Sequence, residues 1–162
     1  MILDFDLDVL ETAAALVDAR LERQDKEAQV SSDPDSFGIF DHIEYITGFG
    51  FVACQTYAIA VMNRRQIDKR KALALGPKHR TGRSVAELIN AGSNHWKHGP
   101  EWSLGAPSNQ AKQTLEVIQS LGVDTNCPYP LANTLHEILT PLPARFVNLV
   151  LFLTQWRDAV LK

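Results

Sequence analysis

The stretch SVAELINAGSNHWKHGPEW, residues 84–102, decides how the rest of the chain is read. Ser84 and Glu87 stand three apart, the spacing of a capping box, in which a hydroxyl and a carboxylate satisfy the free N–H groups at a helix start. Val85, Leu88, Ile89, Gly92 and Trp96 follow at helical intervals and, at about 100° per residue, share one side. Gly99-Pro100 reads as the stop, because proline lacks the N–H that would continue the ladder. A helix over 84–98 is therefore predicted. Glu87, Asn94 and His98 fall on its opposite side, with Ala91 beside them and His95 on the flank.

The same period governs the regions around it. Leu3, Leu7, Leu10, Ala14, Val17 and Leu21 make the apolar stripe of an acidic N-terminal helix within residues 1–30. VSSDPDSFGIF breaks it at Pro34 and Gly38. Asp41 and Glu44 predict a second capping box, opening a helix with the stripe Ile43, Ile46, Gly50, Ala53, Tyr57 and Ala60. That helix is expected to run on through NRRQIDKRKALAL to Gly76-Pro77. Gly48 and Gly50 lower its propensity, so they predict a bend or a closely pressed neighbour. Short helices are expected from about Ser108 through Leu115, Ile118 and Leu121, and around Leu131, Leu135 and Ile138. A last one carries Phe146, Leu149, Leu153, Trp156 and Val160. No alternating strand, repeat or linker interrupts the pattern. The fold class predicted is all-α: one domain over 1–162, a bundle of five to six helices with its core in 41–161.

Composition narrows the function classes. A chain of 162 residues with 45% hydrophobic and 22% charged content can bury a real core. The opening MILDFDLDVLETAAALVDARLERQ has no basic region before its apolar residues, so no signal peptide is expected. The most apolar stretches, 45–62 and 146–153, are interrupted or too short for a bilayer core of about 30 Å. No membrane association and a cytoplasmic location are expected. Cys54 and Cys127 lack a CxxC or metal spacing, so reduced thiols are expected, with no metal and no cofactor. No GxxxxGK[ST] occurs, and Gly48 and Gly50 follow no strand, which argues against a nucleotide-binding α/β fold.

The net charge of −3 hides a segregation. Residues 1–47 hold twelve acids against Arg20, Arg23 and Lys26, a net of −9. Residues 64–83 hold Arg64, Arg65, Lys69, Arg70, Lys71, Lys78, Arg80 and Arg83 against Asp68, a net of +7. That window is either a phosphate footprint or a solvated basic helix end facing the acidic helix.

The polar residues of 84–102 admit four readings. They can simply close a helix, with His98 and Asn94 on carbonyls. His95, His98 and Glu101 can reach one metal ion, although no HExxH accompanies them. His98 can act as acid or base beside a cation that holds phosphate charge. Trp96 or Trp102 can anchor a protein partner.

AGSNHWKHGPEW resembles the ANxxKHxxEW pattern of bacterial helical proteins related to the HEPN superfamily, at Asn94, Lys97, His98, Glu101 and Trp102. TLEVIQSLGV, YPLANTLHEIL and the terminal WRDAVL are similar too, so the resemblance covers most of 41–161. It implies a helical bundle, self-associated through paired long helices, among RNA-cleaving toxins, defence nucleases and non-catalytic RNA or protein binders. Active ribonucleases of that superfamily carry an Arg four to six residues before a His. None of His42, His79, His95, His98 and His136 has one, and Asn94-x3-His98 stands in its place. Asn cannot supply the permanent charge that Arg brings to a scissile phosphate.

The expectation is thus an RNA-associated, HEPN-like bundle of a bacterial defence or toxin–antitoxin-type system, with a degenerate ribonuclease motif. If it is an enzyme, it is expected to be a metal-independent ribonuclease. His98 would then be the acid or base, Asn94 would orient it, and Lys97 or Arg83 would contact phosphate. The eight bases of 64–83 are the expected nucleic-acid contacts; Trp102, Glu101 and His95 are the expected interaction residues. RNA, a protein partner and a second copy of the chain are the expected partners. The alternative is a non-catalytic protein-interaction or dimerisation module.

Overall fold

The computed structural model describes residues 4–102 and 108–162, so Leu3 of the first stripe lies outside it. The elements are all helical: α1 (Phe5–Val30), α2 (Ile39–Arg65), α3 (Lys69–Leu73), α4 (Val85–Trp102), α5 (Asn109–Gln119), α6 (Pro130–Leu139) and α7 (Phe146–Val160). The all-α class is as predicted, with seven helices among the described residues rather than five or six.

The additional helix arises where one long helix was expected. Gln66 takes a left-handed backbone with φ 49° and ends α2. Two residues later the Asp68 carboxylate accepts from the Lys71 N–H at 3.0 Å and starts α3 afresh. The expected stop at Gly99-Pro100 is also displaced, since α4 runs one turn further to Trp102. Contacts of Trp102 with His95 and His98, and of His98 with Glu101, span that turn and hold it.

The α2 helix is the axis of the bundle. It packs against α1, α4, α6 and α7, which accounts for its continuous apolar character. By length and mean hydropathy of 1.4 it could also cross a membrane, and 56% of that apolar window is buried within the bundle. Its glycines mark two close approaches, as their cost in propensity predicts. A methyl on Gly48 would strike the Trp96 ring, and one on Gly50 the Phe146 ring. Phe51 and Phe146 meet edge to face at 5.6 Å, both fully buried, at the centre of a core that continues through Leu88, Ile118, Leu135 and Leu153.

Two helix starts, those of α6 and α7, are satisfied across the fold rather than locally. The Asp41–Glu44 capping box does not form. α2 begins behind Gly38, and the Glu44 carboxylate crosses to α6 instead, accepting from Leu131 and Ala132 N–H at 2.7 and 2.8 Å. Burial pushes the Glu44 carboxyl up despite those two bonds. Asp18 of α1 does the same for α7, accepting from Phe146 and Val147 N–H at 2.7 and 3.0 Å. Neither Tyr129 nor Arg145, the residues that precede α6 and α7, caps its helix with a side chain, so each helix borrows a carboxylate suited to its positive end. Ser84 does cap α4, accepting from the Glu87 N–H at 3.1 Å, while the Glu87 carboxylate turns to Arg83 at 2.5 Å.

Candidate functional site

Midway along α2, where its neighbours are Phe51, Cys54 and Ala58, stands a buried carboxamide, Gln55. An amide in such a place needs its whole hydrogen-bonding capacity met, and α4 meets it. Gln55 Oε1 accepts from Ser93 Oγ at 2.9 Å and from Lys97 Nζ at 2.6 Å. Gln55 Nε2 donates to Asn90 Oδ1 at 2.8 Å and to Asn94 Oδ1 at 3.0 Å. Asn90, Asn94 and Lys97 lie at i, i+4 and i+7, one face of α4.

The orientation of every amide in this network follows from one fact: an ammonium can only donate. Lys97 therefore requires the oxygen of Gln55 on its side, which leaves the Gln55 NH2 for the asparagines. Their oxygens must accept, so both asparagine NH2 groups face away from Gln55. Neither NH2 has a partner among the described residues. Because no buried side-chain nitrogen or oxygen among the described residues lacks one, the Asn94 NH2 reaches solvent although the residue is 7% exposed.

The charge beside this network is uncompensated. Lys97 makes no ion pair among the described residues, and Lys69 of α3 lies near enough to repel it. Burial first, and that repulsion second, hold the Lys97 ammonium below its usual range.

The structure places the expected catalytic residues apart. Asn94 is committed to Gln55 and does not touch His98. The His98 imidazole faces Glu101, with Nδ1 to Oε2 at 3.3 Å, and stacks on Trp102 at 6.5 Å and 26°. His95 meets the same indole edge-on at 5.9 Å, and burial pushes its pKa down. The described residues contain no group of three His, Cys, Asp or Glu able to hold a metal ion, and His98–Glu101 remains a pair. Trp96 is half-buried against Gly48, Tyr45 and Phe49, on the core side as its stripe predicts.

The basic window divides in two. Arg64 pairs with Asp4 and Asp6, Arg80 with Glu137 and Arg83 with Glu87. Arg65 and Lys78 donate to the carbonyls of Leu161 and Ala74. The side chains of Lys69, Arg70 and Lys71 have no such partner among the described residues, and all three belong to α3. Gln55, Asn90 and Ser93 escaped the sequence reading. The available signal was a lone amide inside FVACQTYAIAV and the i, i+4, i+7 series Asn90, Asn94, Lys97.

No protein-family model, curated protein or solved structure matches this chain.

Proposed function

We propose that this chain is a HEPN-like bundle that associates with RNA along α3 and the outer face of α4, and holds RNA without cutting it. The observation that carries the reading is the sorting of the basic window: five of its bases have intramolecular partners, while Lys69, Arg70 and Lys71 of α3 have none among the described residues, and Lys69 lies near enough to Lys97 to repel it. Free cations on one element are what a polyphosphate backbone needs, and the half-buried His98–Trp102 stack offers a surface on which a base can lie. The motif at Asn94, Lys97, His98, Glu101 and Trp102 supports the HEPN-like assignment and, through it, a defence or toxin–antitoxin-type setting. Binding without hydrolysis is favoured because His98 has a carboxylate, not a cation, at contact distance, and Asn94 is occupied elsewhere.

The test is single-stranded RNA binding followed by fluorescence anisotropy at stepped salt concentrations. Affinity is expected to fall steeply with salt, and Arg70→Ala with Lys71→Ala to reduce the log–log slope by about 1.4. Absence of RNA binding, or binding indifferent to salt, overturns the reading. RNA cleavage lost in His98→Ala would make the chain an enzyme instead.

A second reading, self-association, rests on a different face. Phe5, Val9 and Leu16 of α1 and Phe49 of α2 are exposed, and an apolar groove of about 170 Å³ runs between the two helices over Val9, Ala13, Ala53 and Ala60. The occupant we favour is a second copy. Asp6, Asp8 and Glu11 precede any base on α1, whereas Arg20 and Arg23 follow, so two antiparallel α1 helices would set acids against bases. Sedimentation should show a dimer that Leu16→Glu converts to monomer; a monomeric wild type ends this reading.

A further inference from the structure

The Gln55 network does more than satisfy itself, because it sorts donors from acceptors. Every carboxamide oxygen in it already accepts inside: Gln55 Oε1 from Ser93 and Lys97, and the two asparagine oxygens from Gln55 Nε2. What remains unspent is a set of donors, namely two carboxamide NH2 groups and the remaining N–H bonds of the Lys97 ammonium, with the Lys69 charge alongside. We infer that Asn90, Asn94 and Lys97 form a binding site for a phosphate group, whose donors Gln55 turns outward from beneath as a positioning residue, with the Lys69 charge in support.

Three features point to phosphate. An acceptor-only ligand suits the two asparagine NH2 groups and the Lys97 ammonium, because the asparagine oxygens are turned toward Gln55. Two ammonium groups near one another without a carboxylate leave a place for an anion that neutralises both. The donors come from two turns of α4 and from α3, so they approach from several directions. A tetrahedral phosphate offers oxygens in as many directions, and a planar carboxylate does not. Under the RNA reading, on which this inference rests for its biological source, the group is a phosphate of the strand; a free phosphate ion has the same chemistry.

The decisive measurement is side-chain amide NMR of the full chain, titrated with inorganic phosphate against sodium chloride at matched ionic strength. The NH2 signals of Asn90 and Asn94 should move together and saturate, while the Gln55 NH2, already fully bonded, moves little. Gln55→Met should weaken phosphate binding by about tenfold or more, through loss of orientation. Should that variant unfold, Lys97→Ala and Asn90→Asp test the same donors from the surface, and each should abolish the saturable shift. Oligoribonucleotides with and without a 5′-phosphate identify the source: a shift seen only with the phosphorylated end places a terminal phosphate in the site, and equal shifts place a backbone phosphate there.

Asparagine signals unmoved by phosphate, or moved equally by chloride, overturn the inference. If RNA then still binds through Arg70 and Lys71, the RNA reading survives alone. If phosphate binds and RNA does not, the site stands and the RNA reading falls.

Discussion

Two polar corners of this bundle use similar side chains to opposite ends. At one corner, where α1 begins and α2 and α7 finish, the Asp4 carboxylate collects Arg157 at 3.0 Å, Tyr57 Oη at 3.2 Å, the Leu7 N–H at 3.3 Å and Arg64 at 3.4 Å. Burial would raise the Asp4 carboxyl, but these partners hold it below its ordinary range, and Arg157 is raised in turn. Every charge there has an opposite. At the other corner a neutral carboxamide, Gln55, gathers Ser93, Asn90, Asn94 and Lys97, and no carboxylate follows. A corner closed by its own ions ties helices together. One that turns unpaired donors outward is where the proposed phosphate would sit.

Trp156 ties α7 to the α3 segment, which makes it the most damaging residue to change. It is 1% exposed, packs under Gly76, and donates from Nε1 to the Ala72 carbonyl at 2.8 Å, so it joins α7 to the α3 platform. Trp156→Ala should cost about 3–5 kcal/mol in urea unfolding. Trp156→Phe, which mainly loses the hydrogen bond, should cost about 1–2 kcal/mol. If the cavity variant unfolds the chain while amide exchange around α3 stays slow to the end, the platform does not depend on α7 and the link is wrong.

Next in size is Gln55→Leu, which strands Ser93, Lys97 and two asparagine oxygens around an apolar side chain. About 1–3 kcal/mol should be lost. A neutral result would mean that these groups find water readily and that the network orients nothing. Asp4→Asn should cost about 1 kcal/mol at neutral pH, and its pH dependence is diagnostic. A carboxyl depressed in the folded state stabilises above its unfolded value, near 3.9, and loses that contribution as pH falls through the folded value. The wild type should therefore lose more stability than Asp4→Asn between about pH 5 and pH 2. Parallel acid profiles would deny the Asp4 cluster its part in closing this corner.

The sequence made the bundle legible where one face of a helix is consistently apolar. The stripes of α1, α4 and α7, and the close approaches at Gly48 and Gly50, are local consequences of period and size. Connections made across the fold left no such trace. Glu44 stands at capping-box spacing from Asp41, yet it serves α6, because the pairing partner is chosen by where α6 lands. The break at Gln66 has no glycine or proline to announce it. At the candidate site, the motif residues Asn94, Lys97, His98, Glu101 and Trp102 share one helix and were found together. Which of them cooperate was set by Gln55, some forty residues earlier, a single amide that periodicity treats as an exception. Likewise the basic window read as one patch until acids from the α1 end, α4 and α6 claimed three of its five arginines.

The smallest effect is the sharpest test of the contrast, because salt should act with opposite sign at the two corners. The attractions around Asp4 are screened as ionic strength rises, so that corner weakens. The repulsion between Lys69 and Lys97 is screened as well, so the other corner gains. Lys69→Gln removes the repulsion outright and should raise stability by about 0.2–0.5 kcal/mol at low salt, an advantage that shrinks as salt is added. It should also return the Lys97 ammonium part of the way to its usual range, readable by titration of its side-chain resonance. Burial accounts for the larger share of that depression, so the recovery is incomplete. A variant that is less stable than the wild type at low salt would show that Lys69 has a stabilising partner of its own. The two ammonium groups would then have no need of an anion, and the corner would be as closed as the one around Asp4.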